Sequence, residues 1–153
     1  MILIEKVEQY AAHLLEKVEE LKSKFIVIDD SQLARVLKDL RGSDNLVLVG
    51  FIPSHQTEGK TADDVQNIDS MLWLVLSKFD KSDGQDSFIQ EMKRLQLAAN
   101  ELQKQMLLDK ANFFENCGLH RQLQVPSIRI DPIWDLFSFI GYEVEYTLKT
   151  PVF

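Results

Sequence analysis

The chain contains a single cysteine, Cys117, so no disulfide can form within it. This excludes the small secreted folds that depend on several disulfides. No apolar run approaches the ~18 residues that a membrane-spanning helix needs. Charges at Glu5 and Lys6 also interrupt the start of the chain, where a secretion signal would have its apolar core. We therefore expect a cytoplasmic protein without a membrane segment.

Positive charge is also scarce. Lysine and arginine number 17 against 24 aspartate and glutamate residues, which gives a net charge of −7. A chain with this charge is repelled by phosphate backbones. Direct binding to nucleic acid is therefore not expected.

The sequence motifs of the common enzyme classes are missing. Only six glycines occur, and they form neither of the glycine-rich phosphate-binding motifs. The metalloprotease motif H-E-x-x-H and the hydrolase motif G-x-S-x-G are absent as well. These absences predict a non-enzymatic protein with no cofactor and no resident metal ion.

Two weaker patterns of metal-binding side chains remain. Asp63, Asp64 and Asp69 lie in one polar stretch and would ligate Mg²⁺ if the fold brought them together. A metal-dependent enzyme that uses this aspartate cluster is therefore kept as a minor alternative. Cys117 and His120 supply only two of the four ligands that a zinc site requires.

What the chain does contain is the composition of a globular protein. Hydrophobic residues make up 45% and charged residues 27% of its 153 residues. A chain of this length buries enough apolar surface for one core. We therefore treat residues 1–153 as a single domain.

Two long stretches place apolar residues at the alternating three- and four-residue spacing of an amphipathic helix. The first predicts a helix over residues 3–24. The second predicts a helix over residues 88–113 that begins at the capping-box residue Ser87. A shorter pattern predicts a third helix over 31–41, capped by Asp30 or a neighbour. The two long helices either pack on each other or leave one face for an oligomer.

Strand patterns complete the prediction. Apolar, β-rich runs at 46–52 and 71–76 predict two buried strands, separated by a long polar loop at 54–69. Residues 142–149 alternate between apolar and polar side chains, and the Pro151 that follows is typical of an edge strand. The predicted fold is α+β, with a small, mostly antiparallel sheet packed against two long amphipathic helices plus one short helix.

Several apolar side chains exceed what so small a sheet needs for its core. They lie in the aromatic segment near the last strand and on the second long helix. Aromatic residues are enriched at the buried centres of protein interfaces. The candidate interface residues are Trp134, Phe137, Tyr142, Val144, Tyr146, Leu97, Leu107 and Leu108.

The order of these elements, with the step from Gly141 and Tyr142 into an alternating strand, resembles the small α+β neck and tail-completion (tail terminator-like) proteins of tailed phages and prophages. The resemblance implies a structural protein whose identical subunits meet in a ring at the end of the tail tube, incorporated in the virion. We therefore expect an assembly protein whose partner is a protein, first of all itself as a homo-oligomer. The alternative is a small regulatory module that holds a partner or ligand in an aromatic pocket near Trp134.

Overall fold

The structure, a computed structural model, describes residues 1–40, 46–112 and 118–152. Within these ranges the helices are α1 (Ile4–Lys17), α2 (Asp30–Asp39) and α3 (Gly84–Ala111). The strands are β1 (Leu21–Val27), β2 (Leu46–Phe51), β3 (Ser54–Glu58), β4 (Gln66–Lys78), β5 (Arg129–Leu136) and β6 (Phe139–Pro151).

The strands form one sheet in the order β1-β2-β4-β6-β5, and β3 pairs with the first part of β4. Strands β1 and β2 are parallel, and the other pairs are antiparallel. This confirms the predicted α+β class and the mostly antiparallel sheet. None of the helices in the described ranges combines the length and apolar character needed to cross a membrane.

Helices cover both faces of the sheet. Helices α1 and α3 share the larger core with one face, where Trp73 and Tyr146 are fully buried. Helix α2 packs on the opposite face through Leu33 and Leu37, over a smaller core. Because α2 has only 10 residues, the β6 residue Glu145 on its side of the sheet stays exposed.

The predicted helix over 3–24 is wrong beyond residue 17. Helix α1 ends at Lys17, and the chain turns into β1, which pairs with β2 from Leu21 onward. The helical spacing continues through Leu21 and Phe25, but these two residues lie on opposite faces of the sheet, in the larger and the smaller core respectively. Pairing with β1 also satisfies the backbone of the buried strand β2, a requirement that local spacing does not reveal. The fold therefore has one long helix, α3, where two were predicted.

The long helix itself is confirmed, although its start is not. Helix α3 begins at Gly84, so Ser87 lies inside the helix and does not cap it. The end of the prediction, at Phe113, lies outside the described residues. The short helix α2 is also confirmed, and its cap is Asp29, whose side chain accepts a hydrogen bond from the Gln32 backbone N–H.

The predicted loop at 54–69 is wrong as well. Residues 54–58 form β3, a short 3₁₀ turn covers 62–64, and β4 already begins at Gln66. All five side chains of β3 are exposed, so the strand has no apolar alternation by which a sequence pattern would reveal it. The predicted strands at 46–52 and 71–76 correspond to β2 and to part of β4.

The last strand alternates as predicted but is not at the edge of the sheet. Strand β6 pairs with β4 along its whole length and with β5 over residues 139–145. Farther along, Leu123 bridges Leu148, so that part of β6 is also covered. The prediction failed because no strand was predicted at 129–136, where β5 covers the other side of β6. A Cβ at Gly141 would lie 1.8 Å from the Val75 carbonyl oxygen, so only glycine permits this close approach of β4 and β6.

Candidate protein-binding site

The hairpin that joins β5 and β6 ends in a strained turn. Leu136 pairs with Phe139, which leaves Phe137 and Ser138 as a two-residue loop. Both loop residues have positive φ, at 52° and 68°, and Asp135 has φ 53°. A loop with two positive φ values is the type I′ geometry that favours asparagine and glycine. For L-residues with a Cβ, this conformation costs ~1–2 kcal/mol each.

Contacts with the rest of the protein hold this turn in place. The Phe79 backbone N–H donates to the Ser138 carbonyl oxygen at 3.0 Å. Lys81 Nζ lies 2.5 Å from Asp135 Oδ2. The turn is therefore anchored on the segment between β4 and α3, on both sides of Phe137.

The hairpin tip exposes two large aromatic side chains. Trp134 is 57% exposed and Phe137 is 46% exposed. Trp134 stands edge-on to Phe88 of α3 with ring centroids 5.1 Å apart, and Phe79 lies 5.7 Å from Phe88. We call Trp134, Phe137, Phe79 and Phe88 the hairpin-tip surface. Phe79, Phe88 and Trp134 form one aromatic cluster beside α3, and Phe137 lies on the α2 side of the tip, so the surface presents an exposed ring on each side of the hairpin.

Three adjoining hollows surround this surface. The first, of about 390 Å³, lies between α2 and the turn; we call it the Phe137 hollow. Its lining residues are Ala34, Leu37, Lys38, Lys78, Phe137, Ser138 and Phe139. The second, of about 560 Å³, shares Lys78 and Ser138 with the first. The third, of about 380 Å³, lies beside Trp134 and Phe88. The second and third hollows share Phe79 and Lys81, so the three hollows adjoin one another around the hairpin tip.

Comparisons with known proteins add no relative. No protein-family model, curated protein or solved structure matches this chain. The site is therefore interpreted from its own geometry.

The structure separates the predicted interface residues into three groups. Trp134 and Phe137 form the exposed part of the hairpin-tip surface, and Tyr142 is half-buried on β6 against the larger core. Val144 and Tyr146 are fully buried in the larger core, which corrects their prediction as interface residues. They were misassigned because the apolar face of β6 faces α1 and α3, not a partner.

The predicted leucines of α3, Leu97, Leu107 and Leu108, are exposed but scattered. Leu97 and Leu108 are 11 residues apart, or ~16 Å along the helix axis. The exposed Lys104 lies between them along the helix. Single exposed apolar side chains of this kind are normal for a protein surface. They add nothing to the hairpin-tip surface.

The aspartate cluster does not form. Asp63 and Asp64 are exposed on the short 3₁₀ turn, whereas Asp69 is fully buried in β4 and accepts a hydrogen bond from Thr150 Oγ1 at 3.0 Å. Within residues 1–40, 46–112 and 118–152, no group of three or more metal-ligating side chains converges. This corrects the alternative of an aspartate-based metal site. Cys117 lies outside the described residues, so its pairing with His120 is not tested.

Two buried polar groups fasten α1 and the segment at 119–122 to the core. Asp109 of α3 accepts hydrogen bonds from the Tyr10 hydroxyl at 2.6 Å and from Gln105 Nε2 at 2.7 Å. His13 Nε2 lies 3.1 Å from both carboxylate oxygens of Asp109. His120 stacks on Tyr10 with ring centroids 4.0 Å apart. Because Asp109 and His120 are 3% and 1% exposed, their hydrogen bonds and ring contacts lie within the core and hold these elements together.

Sequence reasoning missed Phe79, Phe88, Lys38 and Lys78 as parts of the site. Lys78 lies on β4, Lys38 on α2, Phe88 on α3 and Phe79 between β4 and α3. Only the packing of the sheet and the helices brings them to the hairpin. One local signal was available. The two-residue hairpin loop lies within Asp135–Phe139, and this segment contains neither asparagine nor glycine, the residues that such a turn favours.

Proposed function

We propose that this chain is a non-enzymatic protein-binding and assembly module that docks a protein partner on the hairpin-tip surface. The observation that carries the proposal is Phe137 itself, a bulky residue held at φ 52° with 46% of its surface in solvent. Backbone strain persists where the surroundings impose it, and it clusters at functional sites. Neither stability nor solubility explains an exposed phenylalanine in this turn, whereas presentation of its ring to a partner does.

The neighbouring features support the same function. Trp134 offers a second exposed ring on the other side of the hairpin, and aromatic anchors often dominate the binding energy of interfaces. The ion pair of Lys81 with Asp135 supports the turn that carries both rings. A preorganised surface loses little conformational entropy on binding.

Self-association is the first form of assembly to test. Light scattering is measured over a range of concentrations for the unmodified chain, for Trp134→Ser and for the double variant Phe137→Asn/Ser138→Gly. Leu97→Ser is the matched control, because it removes an equally exposed apolar side chain from α3. We expect oligomers that dissociate in the two hairpin variants but not in the control.

A heterologous partner is tested in cells with a photo-crosslinking amino acid at position 134, compared with the same group at position 97. A specific adduct at 134 alone supports the proposal. A chain that is monomeric at every concentration and gives no adduct at 134 would contradict it.

The resemblance to phage neck and tail-completion proteins suggests where such assembly takes place, namely in the neck or tail of a phage particle. Its test is the identity of the neighbouring genes. Capsid, portal or tail-tube genes beside this gene would support a place in a virion, and metabolic genes would count against it.

Capture of a small ligand beside Trp134 is a second candidate function. The hollow lined by Phe79, Phe88 and Trp134 has about 380 Å³, which is within the ~300–1,000 Å³ range of ligand sites. Fluorescence of Trp134 during titration with aromatic compounds tests this candidate, with Trp134→Phe to identify the signal of the buried Trp73.

A further inference from the structure

The Phe137 hollow has two cationic side chains at its rim, those of Lys38 and Lys78. Among the described residues, no carboxylate lines it. In the part of the chain that the structure describes, neither lysine forms an ion pair with a carboxylate. Other lysines of the described chain also have no ion pair, but Lys38 and Lys78 are the two that line this hollow together.

The floor of the hollow is apolar. Leu37 and Phe139 are each 2% exposed and form its base, while the half-exposed ring of Phe137 forms one wall. Lys78 Nζ makes one hydrogen bond, at 3.4 Å to the Leu40 carbonyl oxygen, and an ammonium group has further donors to offer. The hollow thus combines an apolar contact with two cationic groups within one site.

We infer that the Phe137 hollow binds a short acidic segment of another protein, in which an aspartate or glutamate lies next to a large apolar side chain. The apolar side chain fills the space against Leu37, Phe139 and Phe137, and the carboxylate lies between Lys38 and Lys78. This inference rests on the proposed function and specifies the chemistry of the partner. A short segment fits a hollow of about 390 Å³ and brings its few charges close to the two lysines, and docking of a whole second copy is an outcome that the test distinguishes.

A random dodecapeptide display library, selected on the immobilised full chain, tests the inference. We expect the selected peptides to combine aspartate or glutamate with leucine, phenylalanine or tryptophan. A representative peptide is then synthesised, and its Kd is measured by fluorescence anisotropy at low and high salt. Screening of the charge contacts weakens the binding at high salt.

Charge reversal identifies the site. Lys38→Glu/Lys78→Glu is expected to weaken binding by at least tenfold, or ~1.4 kcal/mol. The matched control, Lys93→Glu/Lys104→Glu, makes the same charge change on exposed positions of α3 and is expected to change Kd less than twofold. Circular dichroism confirms that both variants are folded, and Lys38→Gln/Lys78→Gln replaces the first variant if it is not.

The outcomes separate this inference from the proposed function. The selected peptides could lack acidic residues, bind the Lys38/Lys78 variant as well as the parent, and fail to bind Phe137→Asn/Ser138→Gly. That result would overturn the inference and leave the proposed function intact. The library could yield no peptide while the chain self-associates and the Lys38/Lys78 variant does not. That result would show that the occupant is a second copy and would overturn the inference. Peptides whose binding survives all changes at Trp134 and Phe137 would overturn both.

Discussion

Tyr146 and His120 share a short buried hydrogen bond, with 2.6 Å between the tyrosine hydroxyl and His120 Nε2. The indole N–H of Trp73 donates to the same hydroxyl at 2.8 Å. An indole nitrogen is a donor only, so the hydroxyl accepts from Trp73, and the direction of its bond with His120 Nε2 depends on the histidine tautomer. Burial, as the largest cause, lowers the pKa of His120 from 6.5 to about 3, while Asp109 raises it and His13 lowers it further.

The pKa of His120 predicts acid sensitivity. Below pH 6.5 the unfolded chain binds a proton at His120 and the folded chain does not until about pH 3. Stability therefore falls with decreasing pH across this window, by ~1.4 kcal/mol per pH unit. In His120→Gln this contribution is absent. The free energy of unfolding is measured with urea for both proteins between pH 7 and pH 4. It should fall less in the variant than in the parent as the pH falls. An equal fall in both proteins would contradict the neutral buried state of His120.

Removal of the Tyr146 hydroxyl should destabilise the core. Tyr146→Phe deprives the Trp73 indole N–H and His120 Nε2 of their shared partner in the buried interior. An unsatisfied buried polar group costs ~1–3 kcal/mol, so we expect a loss of about 2 kcal/mol or more in the free energy of unfolding. Tyr142→Phe, at the half-buried position on the same face of β6, is the control and should change stability by less than ~0.5 kcal/mol. Equal effects of the two changes would mean that the hydroxyl network contributes nothing.

Stability and binding should change in opposite directions at the hairpin tip. Phe137→Asn/Ser138→Gly introduces the residues that a type I′ turn favours, which relieves strain at both positive φ values. The free energy of unfolding should rise by about 1–2 kcal/mol, while partner binding is lost with the Phe137 ring. Chemical denaturation measures the first effect and the binding assays above measure the second. A variant that is no more stable than the parent would show that the turn is not strained.

Gly141 should tolerate no side chain. A Cβ there would lie 1.8 Å from the Val75 carbonyl oxygen, and a backbone atom cannot move aside without separating β4 from β6. Gly141→Ala should therefore cost ~3 kcal/mol or more. The control is Gly118→Ala, where the backbone is left-handed with φ 74° and a Cβ would meet nothing within 4 Å, so that only ~1 kcal/mol of backbone strain is expected. Thermal denaturation of the two variants measures the difference.

Most of the regular structure was predictable because it follows local periodicity. The spacing of apolar residues identified α2, α3, β2, the second part of β4 and the alternation of β6. The failures were of a different kind. Strand β1 was taken as helix because Leu21 and Phe25 continue the helical spacing, although they lie on opposite faces of the sheet. Strand β3 was missed because all its side chains face solvent.

The candidate site was only half predictable for the same reason. Trp134 and Phe137 are recognisable in the sequence as aromatic residues, whereas Lys38 and Lys78 become candidate site residues only because the fold places them in the same hollow as Phe137. Val144 and Tyr146 have the same apolar character as the exposed rings and are nevertheless buried. Hydrophobicity indicates that a side chain prefers to leave water, and it does not indicate whether the chain's own core or a partner will cover it.

By itself, the sequence determined the charge, the helix and strand periods and the presence of surplus aromatic residues, because these depend on composition and on neighbours within a few positions. Tertiary structure alone decided that β6 lies inside the sheet, that Asp69 is separated from Asp63 and Asp64, and that Asp109 meets Tyr10 and His13. The hydrogen bond between Tyr10 and Asp109 joins residues 99 positions apart. Contacts over such separations depend on how the strands pair and which face each helix covers, and no local pattern encodes either.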